Sequence, residues 1–369
     1  MEEKVPPQAS EIPTLTPAQK RKKIILLLAA LIGINVLVFG GLYSVLSSNK
    51  TVGEVTNQKI STVNPSPTPF PFEELTIPYL RNREYKSNIP VIEENSRNED
   101  YISSLASYES DGNTIFAQLT NPTGMPPEGG WPAIIFVHGY IPPANYQTFS
   151  NYSSYVDYLA RKGFVVFKID LRGHGQSEGE AGGAYYSSDY VIDVLNAYAA
   201  LEKYEFVNPR KIGLWGHSMA GNVISRALGA KPDIPAIAIW GGAVYTYADF
   251  TEFSIEDNSY QPPSDDSPSR KKRNEMFEKY GAFNEKSEFW KKVPVTNYLD
   301  EITGAISLNH AVDDSVVDIG YSRNFNEILD RTEIPHELNE YPSGGHNFTG
   351  SAFTEAMNKT IEFYNKYLN

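Results

Sequence analysis

The sequence contains no cysteine among its 369 residues. Disulfide bonds, thiolate metal sites and a cysteine nucleophile are therefore excluded. The chain is also short of positive charge, with 32 Lys and Arg against 45 Asp and Glu and a formal net charge of -13. A surface of that sign repels phosphate backbones, so we expect no nucleic-acid partner.

Charged residues are missing from one long segment, residues 24–46, which is an uncharged apolar run of 23 residues directly after the basic cluster at 20–23. Such a run is long enough to cross a bilayer, and the basic cluster predicts that its N-terminal side stays in the cytoplasm. We therefore predict a cytoplasmic tail at 1–23, a single transmembrane helix at 24–46, and an extracytoplasmic remainder anchored in the cell membrane. A cleaved signal peptide is the alternative, with Val45-Leu46-Ser47 as the cleavage site.

Proline alternates with other residues in the next segment, at Pro65, Pro67, Pro69 and Pro71. This spacing favours extended polyproline II, so residues 47–74 are interpreted as a linker. The folded domain is expected at 75–369. It opens with a hairpin whose strands, 101–109 and 114–119, flank the turn signal Asp111-Gly112.

The pattern then changes to short apolar runs that alternate with helical spacing. The runs lie at 133–137, 165–169, 212–215, 236–240 and 305–308, and the predicted helices include 152–161, 188–202 and 219–229. Strands that are apolar throughout predict a mostly parallel sheet with helices on both faces, an α/β fold. Residues 245–300 interrupt the alternation after a strand and are interpreted as a small lid-like insertion; a surface excursion without a role is the alternative.

The turn Gly216-His217-Ser218-Met219-Ala220-Gly221 joins a predicted strand to a predicted helix. A sharp turn of this kind raises the serine hydroxyl above the sheet edge, and its small residues let the helix pass close to the strand. Ser218 is therefore the candidate nucleophile. The helix N-terminus also brings backbone N–H groups near the position of an oxyanion.

A serine nucleophile needs a base, and the base needs an acceptor. His346 is the candidate base, because it follows the predicted strand 336–341 and precedes the final helix 353–367. Asp313 and Asp314 follow the strand 305–308; one is expected to point at His346 and the other to cap the helix 318–331. The order serine, aspartate, histidine is that of an α/β-hydrolase.

His138-Gly139 ends another strand, and the loop there can supply an oxyanion donor. We predict an oxyanion hole made of the backbone N–H groups of Tyr140 and Met219. The loop 170–177 contains Asp170, Arg172 and His174, which are interpreted as mainly structural. His217 is assigned to packing.

Together these motifs resemble the α/β-hydrolases of the prolyl oligopeptidase type, the peptidase S9 family, over about residues 100–369. The resemblance implies the α/β-hydrolase fold. In that family the catalytic acid precedes a valine by three residues, which selects Asp313, three before Val316. Two departures stand out: Ala220 replaces the usual glycine, and the roughly 60 residues between linker and first sheet strand leave no room for the family's β-propeller.

We therefore expect a serine hydrolase that acts through Ser218, Asp313 and His346 and an acyl-enzyme, without metal or cofactor. Peptides or acyl-amino acids are the expected substrates. A carboxylesterase or lipase-like esterase is the alternative, because the same triad serves both reactions. A catalytically inactive binding protein is a third possibility, and the sequence does not indicate an oligomeric state.

Overall fold

A computed structural model describes residues 71–368 of the chain. The predicted cytoplasmic tail, the predicted transmembrane helix and nearly all of the predicted linker lie outside these residues, so those assignments stay predictions. Among the described residues, no helix has both the length and the apolar character needed to cross a membrane.

The described residues contain a nine-stranded sheet in the spatial order β1-β2-β3-β5-β4-β6-β7-β8-β9. The strands are β1 Val91–Arg97, β2 Tyr101–Ser110, β3 Asn113–Pro122, β4 Trp131–Val137, β5 Val165–Ile169, β6 Val207–His217, β7 Ala236–Trp240, β8 Ala305–Ala311 and β9 His336–Tyr341. The pairs from β1 to β5 are antiparallel, and the pairs from β5 to β9 are parallel. The predicted mostly parallel sheet is thus confirmed.

The antiparallel part contains the hairpin that the sequence predicts. Ser110 pairs with Asn113 across the two-residue turn Asp111-Gly112. Both turn residues have positive φ, 50° for Asp111 and 79° for Gly112. Asp and Gly tolerate this left-handed conformation, which matches the twist of the flanking strands.

Seven α-helices accompany the sheet in the described residues. They are α1 Ile77–Asn82, α2 Ser153–Ala160, α3 Asp189–Leu201, α4 Ala220–Ala230, α5 Pro268–Tyr280, α6 Gly320–Leu329 and α7 Gly350–Tyr367. Consecutive strand residues point to opposite faces of the sheet, and each face has its own hydrophobic core. Ile135 belongs to the core that contains residues of α3, α4 and α6, and Phe136 belongs to the core that contains residues of α2 and α7. Both faces are therefore covered, which explains why strands such as Val165–Ile169 are buried throughout.

The insertion after β7 forms a small core of its own. Tyr247, Met276, Phe289 and Trp290 pack together with Leu75, and α5 is its main regular element. Ser267 caps α5, because its side chain accepts a hydrogen bond from the backbone N–H of Arg270. The insertion is thus a folded part of the domain, with side chains of its own to present to the sheet edge.

Candidate active site

Ser218 lies in a tight turn between β6 and α4. It has a φ of 56°, which a non-glycine residue adopts only when its surroundings hold it there. Two backbone hydrogen bonds hold it: Ser218 N–H donates to Trp240 O at 2.9 Å, and Gly221 N–H donates to Ser218 O at 2.9 Å. A Cβ at Gly216 would lie 3.0 Å from Ala220 O, so the close approach of the helix favours glycine there.

His346 lies in the loop between β9 and α7, and its partner corrects one prediction. Its Nδ1 donates to Asp314 Oδ2 at 2.8 Å, and not to Asp313. Asp313 is exposed and instead accepts the backbone N–H of Gly345 at 2.8 Å. Asp313, predicted as the acid, is therefore not the partner of His346. Neither aspartate caps α6, which begins at Gly320.

The Asp314 carboxylate is fully buried and held on both of its oxygens. Oδ1 accepts the backbone N–H groups of Val316 at 2.8 Å and Val317 at 3.0 Å, which leaves Oδ2 for His346. Burial alone would raise the pKa of this carboxyl, but the hydrogen bonds from His310 and His346 outweigh burial and hold the pKa well below its usual range. Asp314 is thus a carboxylate at neutral pH, able to stabilise a protonated His346.

His310, which no sequence motif singled out, supports the same carboxylate. Its Nε2 lies 3.3 Å from Asp314 Oδ2 and 3.0 Å from Val317 O, while its Nδ1 accepts from Ser322 Oγ at 2.8 Å. The side chain is fully buried on β8. Its place four residues before Asp314, at the end of a buried strand, was the available signal.

A second set of hydrogen bonds ties three loops together through His217. Gly139 N–H donates to Tyr152 Oη at 3.1 Å, and Tyr152 Oη contacts His217 Nδ1 at 2.7 Å. His217 Nε2 contacts His346 O at 2.8 Å. The carbonyl must accept, so Nε2 carries the proton and Nδ1 accepts from Tyr152. Burial, followed by the charge of His346, lowers the pKa of His217 to about 3, so the ring stays neutral. His217 therefore does more than pack: it holds the His346 backbone.

The two predicted oxyanion donors have free backbone N–H groups. Within residues 71–368, neither Met219 N–H nor Tyr140 N–H donates to an acceptor of the chain. Gly139 places the two loops in contact, because a Cβ built on it would lie 3.1 Å from Ser218 Cβ. An anionic oxygen near Ser218 would satisfy both amides.

The loop 170–177 makes the structural contacts that were predicted for it. The buried Asp170 accepts from Tyr146 Oη at 2.6 Å, and Arg172 forms a buried ion pair with Asp193 at 2.6 Å. His174 Nε2 lies 3.1 Å from Ile141 O, in contact with the chain just after Tyr140.

Ser218 opens into a cavity of about 750 Å³ that the insertion covers on one side. Lining residues from the insertion include Ile255, Tyr260, Pro263 and Arg273. The centres of the Tyr260 and Tyr140 rings lie 5.3 Å apart. The backbone N–H of Gln261 donates a hydrogen bond to Tyr140 Oη at 2.8 Å. The insertion therefore lies over the nucleophile, as the lid interpretation expects. A second cavity of about 900 Å³ contains none of the predicted site residues.

Comparisons with known proteins identify relatives that are described as peptidases and esterases. A family profile described as serine aminopeptidase, S33, matches residues 132–255. Human dipeptidyl peptidase 8 is 28% identical over 150 residues, which are 38% of this chain and 16% of that protein. The chain thus spans only a small part of this relative.

Solved structures show the same fold at low sequence identity. Acetyl xylan esterase 1 from a Thermoanaerobacterium species has a TM-score of 0.54 at 18% identity, with 81% of this chain and 95% of the esterase covered. A puromycin-hydrolysing peptidase from Mycobacterium tuberculosis has a TM-score of 0.55 at 18% identity, with 74% and 40% covered.

The fold of the described residues is that of the α/β-hydrolases. The resemblance to the S9 type is confirmed, since one sequence relative is a dipeptidyl peptidase and the solved structures of this fold include peptidases and esterases. Human dipeptidyl peptidase 8 and these two solved structures are described as peptidases or esterases, which are hydrolases, and this supports assignment of this chain as a serine hydrolase. Among residues 71–368, no cluster of three metal-ligating side chains is found.

Proposed function

We propose that this protein hydrolyses acyl compounds through a triad of Ser218, His346 and Asp314. The observation that carries the proposal is the hydrogen bond of 2.8 Å between His346 Nδ1 and a buried, ionised Asp314, beside a serine held at a strained turn. With its proton fixed on Nδ1, His346 has Nε2 unprotonated and able to accept the proton of a serine hydroxyl.

The proposed reaction runs in two halves. Ser218 Oγ attacks the substrate carbonyl as His346 Nε2 takes the hydroxyl proton. The oxyanion that forms accepts hydrogen bonds from the backbone N–H groups of Met219 and Tyr140. The intermediate collapses, and His346 returns the proton to the departing amine or alcohol. Water then attacks the acyl-enzyme with His346 as base, which releases a carboxylic acid and restores Ser218.

A peptide or an acyl-amino acid is the substrate that we propose first. The family profile and human dipeptidyl peptidase 8 both carry peptidase descriptions, and the profile match, residues 132–255, contains Ser218. An ester is the second candidate, because the cavity wall is rich in tyrosine and proline and the same fold occurs in acetyl xylan esterases. Rates on aminoacyl p-nitroanilides and on p-nitrophenyl esters separate the two.

Labelling with a fluorophosphonate probe tests the hydrolase proposal. We expect the wild-type protein to be labelled and Ser218→Ala not to be. Ser343→Ala is the matched control, since Ser343 is an exposed serine in the loop of His346 and is expected to label like the wild type. An unlabelled but folded wild-type protein would instead favour a non-catalytic binding protein.

We also propose that residues 24–46 anchor the hydrolase to the cell membrane with the folded domain outside. The support is the uncharged run and the basic cluster before it. Protease added to intact cells should remove the domain while leaving a cytoplasmic marker intact. A protected domain would show that the orientation is wrong.

A further inference from the structure

One wall of the Ser218 cavity is formed by the start of α5 and carries three basic side chains, Arg270, Lys272 and Arg273. Two of them form ion pairs: Arg270 lies 3.4 Å from Asp265, and Lys272 lies 2.8 Å from Glu74. Among the described residues, Arg273 has no carboxylate within 4.0 Å. It is thus the basic side chain of this wall whose charge is not yet matched.

The Arg273 guanidinium is held between aromatic rings. Its central carbon lies 5.4 Å from the centre of the Tyr186 ring and 5.7 Å from that of Phe277. Its Nε is buried and, in the described part of the chain, has no hydrogen-bond partner. Ring contacts fix the guanidinium plane but do not satisfy its N–H donors, which are best matched by a carboxylate or phosphate.

The acidic side chains of the cavity do not serve as this partner. Asp189 lies 3.4 Å from Arg172, and Asp257 accepts the backbone N–H and the hydroxyl of Ser259. Glu180 is exposed, and no ion pair joins it to the described residues. Much of the remaining wall is aromatic, with Tyr140, Tyr185, Tyr190 and Tyr260.

We propose that Arg273 binds a carboxylate on the substrate, and that the natural substrate has an apolar or aromatic body with a free carboxylate away from the bond that is cleaved. The inference rests on the proposed serine hydrolase function and narrows its substrate class. The carboxylate can belong to the acyl group or to the leaving group, and the chemistry at Arg273 is the same. An acidic chain of net charge -13 would otherwise disfavour anionic substrates.

Two matched ester pairs test the inference and distinguish these two sources. On the acyl side, p-nitrophenyl hydrogen glutarate is compared with p-nitrophenyl methyl glutarate. On the leaving-group side, 4-acetoxybenzoate is compared with its methyl ester. We expect wild-type kcat/KM to favour the anionic member of at least one pair, and the preference to weaken at high salt.

Arg273→Gln should reduce that anionic-to-neutral ratio by about 10- to 100-fold, the range of a charge-assisted hydrogen bond. Arg273→Lys should restore part of the ratio. Lys271→Gln is the control, because it removes one charge from an exposed position on the same helix that does not line the cavity, and it should keep the wild-type ratio.

The outcomes distinguish failure of the Arg273 inference from failure of the hydrolase proposal. If the wild type favours the neutral member of both pairs, or if Arg273→Gln keeps the wild-type ratio, the inference is wrong and the hydrolase proposal stands. If the wild type cleaves none of the four esters and does not react with the fluorophosphonate, the hydrolase proposal is wrong and the inference falls with it.

Discussion

The choice between Asp313 and Asp314 leads to the sharpest prediction. Replacing Asp314 by Asn should nearly abolish turnover, whereas Asp313→Asn should leave it almost unchanged. The two residues are neighbours in sequence, and each substitution exchanges one carboxylate oxygen for an amide nitrogen. Only the carboxylate of Asp314 contacts His346.

The size of the effect follows from the donors around Asp314. The N–H groups of Val316 and Val317 both point at Oδ1, so the oxygen of an asparagine would be held there. Its NH₂ group would then face His346 Nδ1 and could not accept a proton from it. His346 would be protonated on Nε2, the wrong tautomer for a base. Such a tautomer change costs about 1,000- to 10,000-fold in kcat, or about 4–5.5 kcal/mol.

In Asp313→Asn, by contrast, the amide oxygen can still accept the Gly345 N–H, so we expect less than about a threefold change. Steady-state kcat on whichever chromogenic substrate the wild type turns over, with thermal unfolding of each variant as a folding control, measures both effects. A loss of more than 100-fold in Asp313→Asn, together with near wild-type kcat in Asp314→Asn, would refute the assignment drawn from the hydrogen bonds.

Three further predictions concern the supports of the site. Tyr152→Phe removes the donor to His217 Nδ1, so kcat should fall about tenfold with a loss of about 1–2 kcal/mol in the free energy of unfolding, read from kinetics and urea titration. Asp193→Asn leaves Arg172 without its buried partner and should cost about 3–5 kcal/mol of stability in the same titration. Burial lowers the pKa of His217 from 6.5 to about 3. Below pH 6.5 the imidazole of His217 therefore binds a proton in the unfolded chain, whereas in the folded protein it stays neutral until the pH approaches 3. The free energy of unfolding should therefore fall by about 3 kcal/mol from this group between neutral pH and pH 4, and His217→Gln should show a shallower acid dependence.

Most of the sheet could be predicted because its strands are buried on both faces. Burial demands apolar residues at every position, and runs such as Ala236–Trp240 display this directly. Strand β1 follows the opposite rule. All of Val91–Arg97 is exposed, so neither an apolar run nor a burial alternation marks it in the sequence.

The sequence singles out Ser218 and His346 as candidates because each follows a predicted strand, where position restricts the choice. It does not decide between the two neighbouring aspartates. Asp313 and Asp314 stand side by side in one turn, closed by the hydrogen bond from Asp314 N–H to Ala311 O. Which side chain turns inward depends on that turn, and the valine spacing fits both, since Val317 lies three residues after Asp314.

Contacts between residues that are far apart in the chain could not be predicted from the sequence. The hydrogen bond from His217 to His346 spans 129 residues, and that from Tyr152 to His217 spans 65. The position of Arg273 over the cavity depends on how the insertion packs against Tyr186 and against Glu74 and Leu75. None of these contacts leaves a periodic or local signal.

The exposed strand β1 affects whether copies of the protein can pair through their sheet edges. Within residues 71–368 it is the first strand of the sheet and has no neighbour on one side, and such an edge can template pairing with another molecule. Here the edge carries Glu93, Glu94 and Arg97, and two irregularities break its register with β2. Copies approaching side by side would meet charged side chains and a bent backbone. Pairing of two copies through this edge is therefore disfavoured.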